Sequence, residues 1–139
     1  MICFNFSSEA VIQSIAIQIA TALNATGCTI ELWHPKTNLL EVLFDYSHPY
    51  PDEVDSPGKT YDLVEFPTTL EVLQNRQIKQ VQVNDPTADA AEVALMQKME
   101  IYSLLLVPMI NQKRVLGIIE IYEEEMARQY SSDEIQLAQ

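Results

Sequence analysis

The chain has 139 residues, with 20 aspartates and glutamates against 8 lysines and arginines, for a net charge of −12. The length suits one domain and leaves no room for two ordinary ones. So negative a surface repels phosphate backbones and anionic lipid heads, so neither nucleic acid nor direct membrane contact is expected.

Hydrophobic residues make up 47% of the chain, enough for a packed core without staples. Cys3 and Cys28 are too few for a disulfide framework, and reduced thiols in a cytoplasmic setting are the simpler reading. Met1-Ile2-Cys3-Phe4 has no basic stretch and Glu9 interrupts the residues after it, so no signal peptide is expected. No apolar run approaches the ~20 residues of a membrane span.

Ser7 and Ser8 are placed to cap a helix from about Glu9. Val11, Ile12, Ile15, Ala16, Ile19, Ala20 and Leu23 then recur at helical spacing. Between Ala10 and Cys28 there is no charged residue, where a helix covered on one side would show a charged outer face. The helix is therefore expected to be covered on two sides. Gly27 suits a left-handed cap at its end.

Cys28 to His34 and Leu39 to Tyr46, joined by Pro35-Lys36-Thr37-Asn38, read as an antiparallel hairpin. Alternation puts Leu40, Val42, Phe44 and Tyr46 on one face of the second strand and Glu41 and Asp45 on the other. Ser47 to Lys59 holds three prolines and a glycine and reads as loop. Tyr61 to Phe66 is a short extended piece. Pro67 opens a helix to about Asn75, Ile78 to Val83 suits an edge strand, and Asp89 to Met99 reads as a helix. Ser103 to Ile110 and Arg114 to Tyr122 form a second hairpin about Asn111-Gln112-Lys113. Ser131 or Ser132 caps a last helix containing Ile135 and Leu137. That helix stops at Gln139 after about two turns, so the domain is expected to be part of a longer multidomain chain.

Chemistry-bearing patterns are sparse. His34 and His48 form no metal-ligand spacing, the cysteines make no CxxC, and three glycines build no phosphate cradle, so neither a metal nor a catalytic set is expected. Glu123-Glu124-Glu125, like Asp52, Glu53 and Asp55, reads as solvated acid. Trp33 reads as core or rim packing, and Cys28 as a buried inert thiol. Gly117, inside a strand, reads as a close-packing or bulge position. The irregular middle gathers aromatic rings, and Tyr46, Tyr61, Phe66 and Tyr102 are the candidate ligand-binding residues.

Ile101-Tyr102-Ser103-Leu104-Leu105-Leu106-Val107-Pro108-Met109-Ile110, then Val115-Leu116-Gly117-Ile118-Ile119-Glu120-Ile121, resembles the closing hairpin of a GAF domain. Arg128-Gln129-Tyr130-Ser131-Ser132-Asp133-Glu134-Ile135 is similar to the family's lead into its last helix. The resemblance runs from about Ser8 to Gln139, and residues 1–139 form a single GAF-like domain on this reading. It implies an α+β fold: a GAF/PAS-like six-stranded antiparallel sheet, terminal helices packed on one face, and short helices over the other above a ligand pocket. It also implies a regulatory sensory role, in which a small molecule is bound and the signal passes through the terminal helices of a signal-transduction protein. The parent protein would then supply any kinase or cyclase activity, the domain itself being no enzyme. A homodimer through helices near 9–24 and 131–139 is implied by the same resemblance. The alternative is a dimerisation module with a degenerate, ligand-free pocket. The Cys-His pair of bilin-bearing members has no counterpart in the middle segment, so a covalent bilin is not expected and the cofactor is left open. The motif residues of cyclic-nucleotide-binding members and the cysteines of the methionine sulfoxide reductase branch are not matched either.

Overall fold

The computed structural model describes residues 6–47, 57–125 and 128–138. Helix α1 (Phe6–Leu23) leads into β1 (Gly27–His34) and β2 (Leu39–Ser47). The middle holds β3 (Thr60–Asp62), a 3-10 turn over Leu63–Glu65, α2 (Pro67–Asn75), β4 (Lys79–Gln82) and α3 (Ala90–Lys98). The chain closes with β5 (Ser103–Asn111), β6 (Arg114–Glu123) and α4 (Ser132–Ala138). The strands form one sheet in the order β3-β2-β1-β6-β5-β4, antiparallel throughout.

Both faces of this sheet are covered, which explains why β5 reads as an apolar run instead of an alternation. Leu105 and Val107 join Ala16, Ala20 and Leu23 of α1 in a helix-side core. Leu104 and Leu106 join Leu63, Val72, Leu73 and Met96 in a second core beneath α2 and α3. Burying a side chain of this size stabilises by roughly 1.5–3 kcal/mol, so both layers hold the sheet.

Local signals set the element ends. Pro67 stands in the first turn of α2, and Arg76 closes that helix in the left-handed region at φ 56°. Asp89 caps α3, its carboxylate accepting from the amide of Glu92 at 3.3 Å. Ser131 and Glu134 make a reciprocal capping box at the start of α4. The β5–β6 turn uses two left-handed residues, Gln112 (φ 49°) and Lys113 (φ 71°), between the paired Asn111 and Arg114.

Four expectations need correction. Helix α1 begins at Phe6, so Ser7 and Ser8 lie inside its first turn. The left-handed residue at its end is Asn24 (φ 51°), not Gly27. Gly27 instead starts β1 against an aromatic ring: a Cβ there would stand 2.2 Å from Tyr122 Cζ and 2.4 Å from the carbonyl oxygen of Tyr46. On the side of α1 away from the sheet, Val11 (56%), Ile15 (42%) and Ile17 (40%) are exposed within the single chain, so the second cover expected for this helix has to come from outside it. Tyr61–Phe66 is not uniformly extended; it passes from β3 into the 3-10 turn, where Asp62 Oδ1 accepts from the Val64 amide. Finally, the alternation in β2 breaks. Ile30 pairs with Phe44 and Glu31 with Val42, so Leu43 is the extra residue of a bulge. Leu40 therefore packs beneath α2 and α3, while Phe44 and Tyr46 pack on the helix side.

Gly117 does sit at a close approach. A Cβ there would lie 1.9 Å from the carbonyl oxygen of Glu31 on β1. Leu116 forms a bulge beside it, since Met109 pairs with Gly117 and Ile110 with Val115.

Candidate functional site

A cavity of ≈ 30 Å³ lies between the sheet and the layer made by α2 and α3. Its floor is Thr29 and Glu31 from β1 and Glu120 and Tyr122 from β6. The register sets Thr29 between Asp45 on β2 and Glu120 on β6, so polar groups from three strands meet mid-sheet. Thr29 Oγ1 and Tyr122 Oη both donate to Asp45 Oδ1, at 2.9 and 2.7 Å. Burial and the neighbouring Asp45 charge push the Tyr122 phenol well above the usual tyrosine range.

The roof is apolar and aromatic. Tyr61 and Phe66 meet edge to face with ring centres 5.9 Å apart. Met96 and Met99 line the cavity from α3 and just beyond it. One polar contact ties the roof helices together: Thr69 Oγ1 of α2 donates to Glu92 Oε2 of α3 at 3.0 Å. Glu92 is buried, and that burial raises its carboxyl pKa despite the Thr69 hydrogen bond, with nearby Asp89 adding to the rise.

The structure divides the four candidate rings. Tyr61 and Phe66 line the cavity. Tyr46 packs against the helix-side core, on the far side of the sheet, because of the Leu43 bulge. Tyr102 is 44% exposed and lies outside the cavity lining, its backbone bonding to Glu123 and Val83. His48, Tyr50, Asp52, Glu53 and Asp55 fall outside the described residues. The carboxylates of the cavity, Glu31, Glu92 and Glu120, were missed by sequence reasoning. The available signal was a single acid inside an apolar strand, in Thr29-Ile30-Glu31-Leu32 and in Ile118-Ile119-Glu120-Ile121.

Behind the cavity, Glu123 is no solvated strand end. It is buried, and Oε1 accepts from Arg128 Nη1 at 2.7 Å and from Tyr130 Oη at 3.2 Å. Its Oε2 accepts from Thr26 Oγ1 at 3.2 Å. The Arg128 guanidinium also donates to Glu134 of α4 and to the carbonyl oxygen of Asn24 at the end of α1, and lies 4.5 Å over the Tyr130 ring. Burial opposes the arginine charge, but the hydrogen bonds to Glu123 and Glu134 outweigh it and hold its pKa above the usual value. One guanidinium thus joins the end of β6, the end of α1 and the start of α4. Gln80 clamps the same connection to edge strand β4, donating to the Tyr130 carbonyl (3.0 Å) and accepting from its amide (2.7 Å).

Cys28 sits on the helix side of β1. Burial, with the charges of Asp45 and Glu120, pushes its thiol far above neutrality. Among the described residues no trio of His, Cys, Asp or Glu side chains is grouped to hold a metal ion, and no helix is long and apolar enough to cross a membrane.

A sheet with terminal helices on one face and a roofed cavity on the other defines a class of α+β domain. The GAF domain family model matches residues 7–139, and the chain belongs to that family. Solved structures agree on the fold. The blue-light absorbing form of the PixJ GAF domain of Thermosynechococcus elongatus is 12% identical over 94% of this chain and 77% of its own, with a TM-score of 0.76. A phycoerythrobilin-bound GAF domain from a cyanobacterial phytochrome is 18% identical over 93% and 77%, with a TM-score of 0.77. The GAF domain of a two-component sensor histidine kinase from Bacillus halodurans is 16% identical over 98% and 90%, with a TM-score of 0.73. The comparison with curated proteins returns no match. Among the described residues no cysteine lines the cavity, so none of them offers a thiol there for a covalent tetrapyrrole.

Proposed function

We propose that this chain is a regulatory sensory domain of a signal-transduction protein. It binds a small molecule in the cavity beneath Tyr61 and Phe66 and relays occupancy through β6 to the terminal helices. One observation carries the reading: Tyr122 lines the cavity, and the next residue, Glu123, holds the Arg128 junction of α1 and α4. A shift of the end of β6 on binding is then felt at both helices. The domain acts by binding rather than catalysis, which the buried, strongly raised Cys28 thiol supports. Hydrogen exchange tests the relay. Met96→Ala enlarges the cavity from the roof and should alter amide protection in 132–138 as well as in α3. A change confined to α2 and α3 would count against it.

The second reading, a dimerisation module with a degenerate pocket, is favoured by a separate observation. Val11, Ile15 and Ile17 on α1 and Leu137 on α4 are exposed apolar side chains on helices that pack against each other. A homodimer through residues near 9–24 and 131–139 would cover them. Sedimentation equilibrium should show a dimer that Ile15→Glu converts to monomer. A wild-type chain that stays monomeric at high concentration would sink this reading.

A further inference from the structure

We propose a second ligand site in this domain: a groove on the helix side of the sheet that takes an anionic amphiphile, a short alkyl chain ending in a carboxylate. The groove lies across the sheet from the cavity beneath Tyr61 and Phe66, and the proposal depends on neither reading given above.

The groove has a volume of ≈ 360 Å³ and is lined from β5, β6 and the lead into β4. Its floor is Val107 and Ile119, which belong to the helix-side core, and Ile78 and Met109 pack against that core beside them. Ile110 stands at the rim, 49% exposed. No residue of α1 or α4 is among the described lining residues, so the terminal helices leave this strip of the face open. Small-molecule sites have volumes of roughly 300–1,000 Å³ and mostly apolar walls with a few placed polar groups. A protein partner would need roughly 20–30 residues from this surface, many more than the groove supplies.

The placed polar group is Arg76. It stands just past α2, and its Nη2 donates to the carbonyl oxygen of Lys113 at 2.5 Å, which holds the guanidinium beside the β5–β6 turn. A guanidinium has five N–H donors, and among the described residues no carboxylate pairs with this one. Lys113 and the adjacent Arg114 stand at the same corner, so three of the chain's eight lysines and arginines gather there. No aspartate or glutamate is among the described lining residues. The net charge of −12 does not reverse the local sign, because at physiological salt exposed charges more than about 8 Å apart are largely screened. An apolar floor that ends at a cation matches an apolar tail that ends in an anion, and the guanidinium fork fits a carboxylate in two parallel bonds.

The position gives such a ligand a use. Val107 and Ile119 share their core with Ala16 and Ala20 of α1, and Ile135 of α4 packs against it. An occupant of the groove bears on the terminal helices through that core, without passing through the cavity on the other face.

The test adds octanoate, n-octanol, octylammonium or acetate to this chain at physiological ionic strength, each below its self-association limit, and follows amide chemical shifts. Octanoate should give saturable shifts at Ile78, Met109, Ile110 and Ile119, octanol weaker ones, and octylammonium and acetate none at these amides. Arg76→Gln should weaken octanoate about fivefold, the upper range for an exposed charge pair, and leave octanol unchanged. Ile110→Asp sets a carboxylate at an exposed rim position and should weaken octanoate more than octanol. Lys98→Gln, which removes a cation on α3, is the control and should change nothing. Equal affinity for octanoate and octanol, unmoved by Arg76→Gln, would overturn the proposal. Shifts centred on Val11, Ile15 and Ile17, or spread without saturation, would overturn it as detergent-like adsorption. Shifts at Thr29 and Glu92 alone would overturn it in favour of the cavity. Groove amides that move with protein concentration alone would place a second copy there and overturn it as well. No response to any probe also overturns it and leaves the cavity reading to its own test.

Discussion

Tyr122 and Glu123 are consecutive in β6 and serve opposite faces of the sheet. Tyr122 Oη donates to Asp45 Oδ1 at 2.7 Å on the cavity side, and Glu123 Oε1 accepts from Arg128 Nη1 at 2.7 Å on the helix side. The strand period of two makes this unavoidable: neighbouring side chains must part. The consequence is that a single strand end carries both the floor of the cavity and the anchor of the terminal helices.

Arg128→Met keeps much of the side-chain volume and removes the charge. It leaves Glu123 buried beside Tyr130 and Thr26 without its cation. Removing one partner of a buried pair costs roughly 3–5 kcal/mol; the partial exposure of Arg128 reduces this to about 2–3 kcal/mol. Arg128→Lys should recover only part of the loss, since one ammonium cannot reach Glu123, Glu134 and Asn24 in the same fork geometry. Urea unfolding of the three proteins checks the order.

Gly117→Ala places a methyl 1.9 Å from a backbone oxygen of β1, which no rotamer change relieves. The sheet must open at Leu32 and Gly117, and a loss of more than about 3 kcal/mol is expected, at the upper end of single substitutions. Gly58→Ala is the control. That glycine has φ +91° with open space around it, so only backbone strain of about 1 kcal/mol arises. Similar melting temperatures for the two variants would contradict this.

Glu92 provides a pH test. Its carboxyl pKa is raised in the fold above the ordinary value of 4.5. The folded state therefore holds a proton that the unfolded chain has released, and stability falls as pH rises from about 4.5 through the raised value. Glu92→Gln removes this slope. The variant should gain on the wild type as pH climbs through that window and stay level above it. Denaturant midpoints measured from pH 4 upward decide it, and a constant difference at every pH would refute the assignment.

The β5–β6 turn can be improved. Gln112 and Lys113 both hold positive φ, which costs an L-residue of ordinary type roughly 1 kcal/mol each. Gln112→Asn with Lys113→Gly supplies the pair that such two-residue turns favour. A rise in stability of about 1 kcal/mol is expected, read as a higher urea midpoint at unchanged slope.

Much of the scaffold was legible because its signals are local. Pro67, Asp89 and the Ser131–Glu134 pair mark helix starts through hydrogen bonds made within a turn. The candidate site was legible in part. Tyr61 in β3 and Phe66 just before α2 both precede the first roof helix and fall on the cavity by proximity to it. Tyr46 was misplaced because strict alternation cannot survive one inserted residue, and Leu43 is that residue. Glu123 was misread because three adjacent acids look solvated in a row, while one of them meets an arginine five residues on.

By itself, then, the sequence determined the order of elements, the two hairpins and the family, since each depends on spacing along the chain. Only the tertiary structure decided which acids are buried, which rings share a wall, and that Arg128 ties α1, β6 and α4. Those relations join residues up to 104 positions apart, as Arg128 and Asn24 do, and only the packed sheet brings them within hydrogen-bond reach.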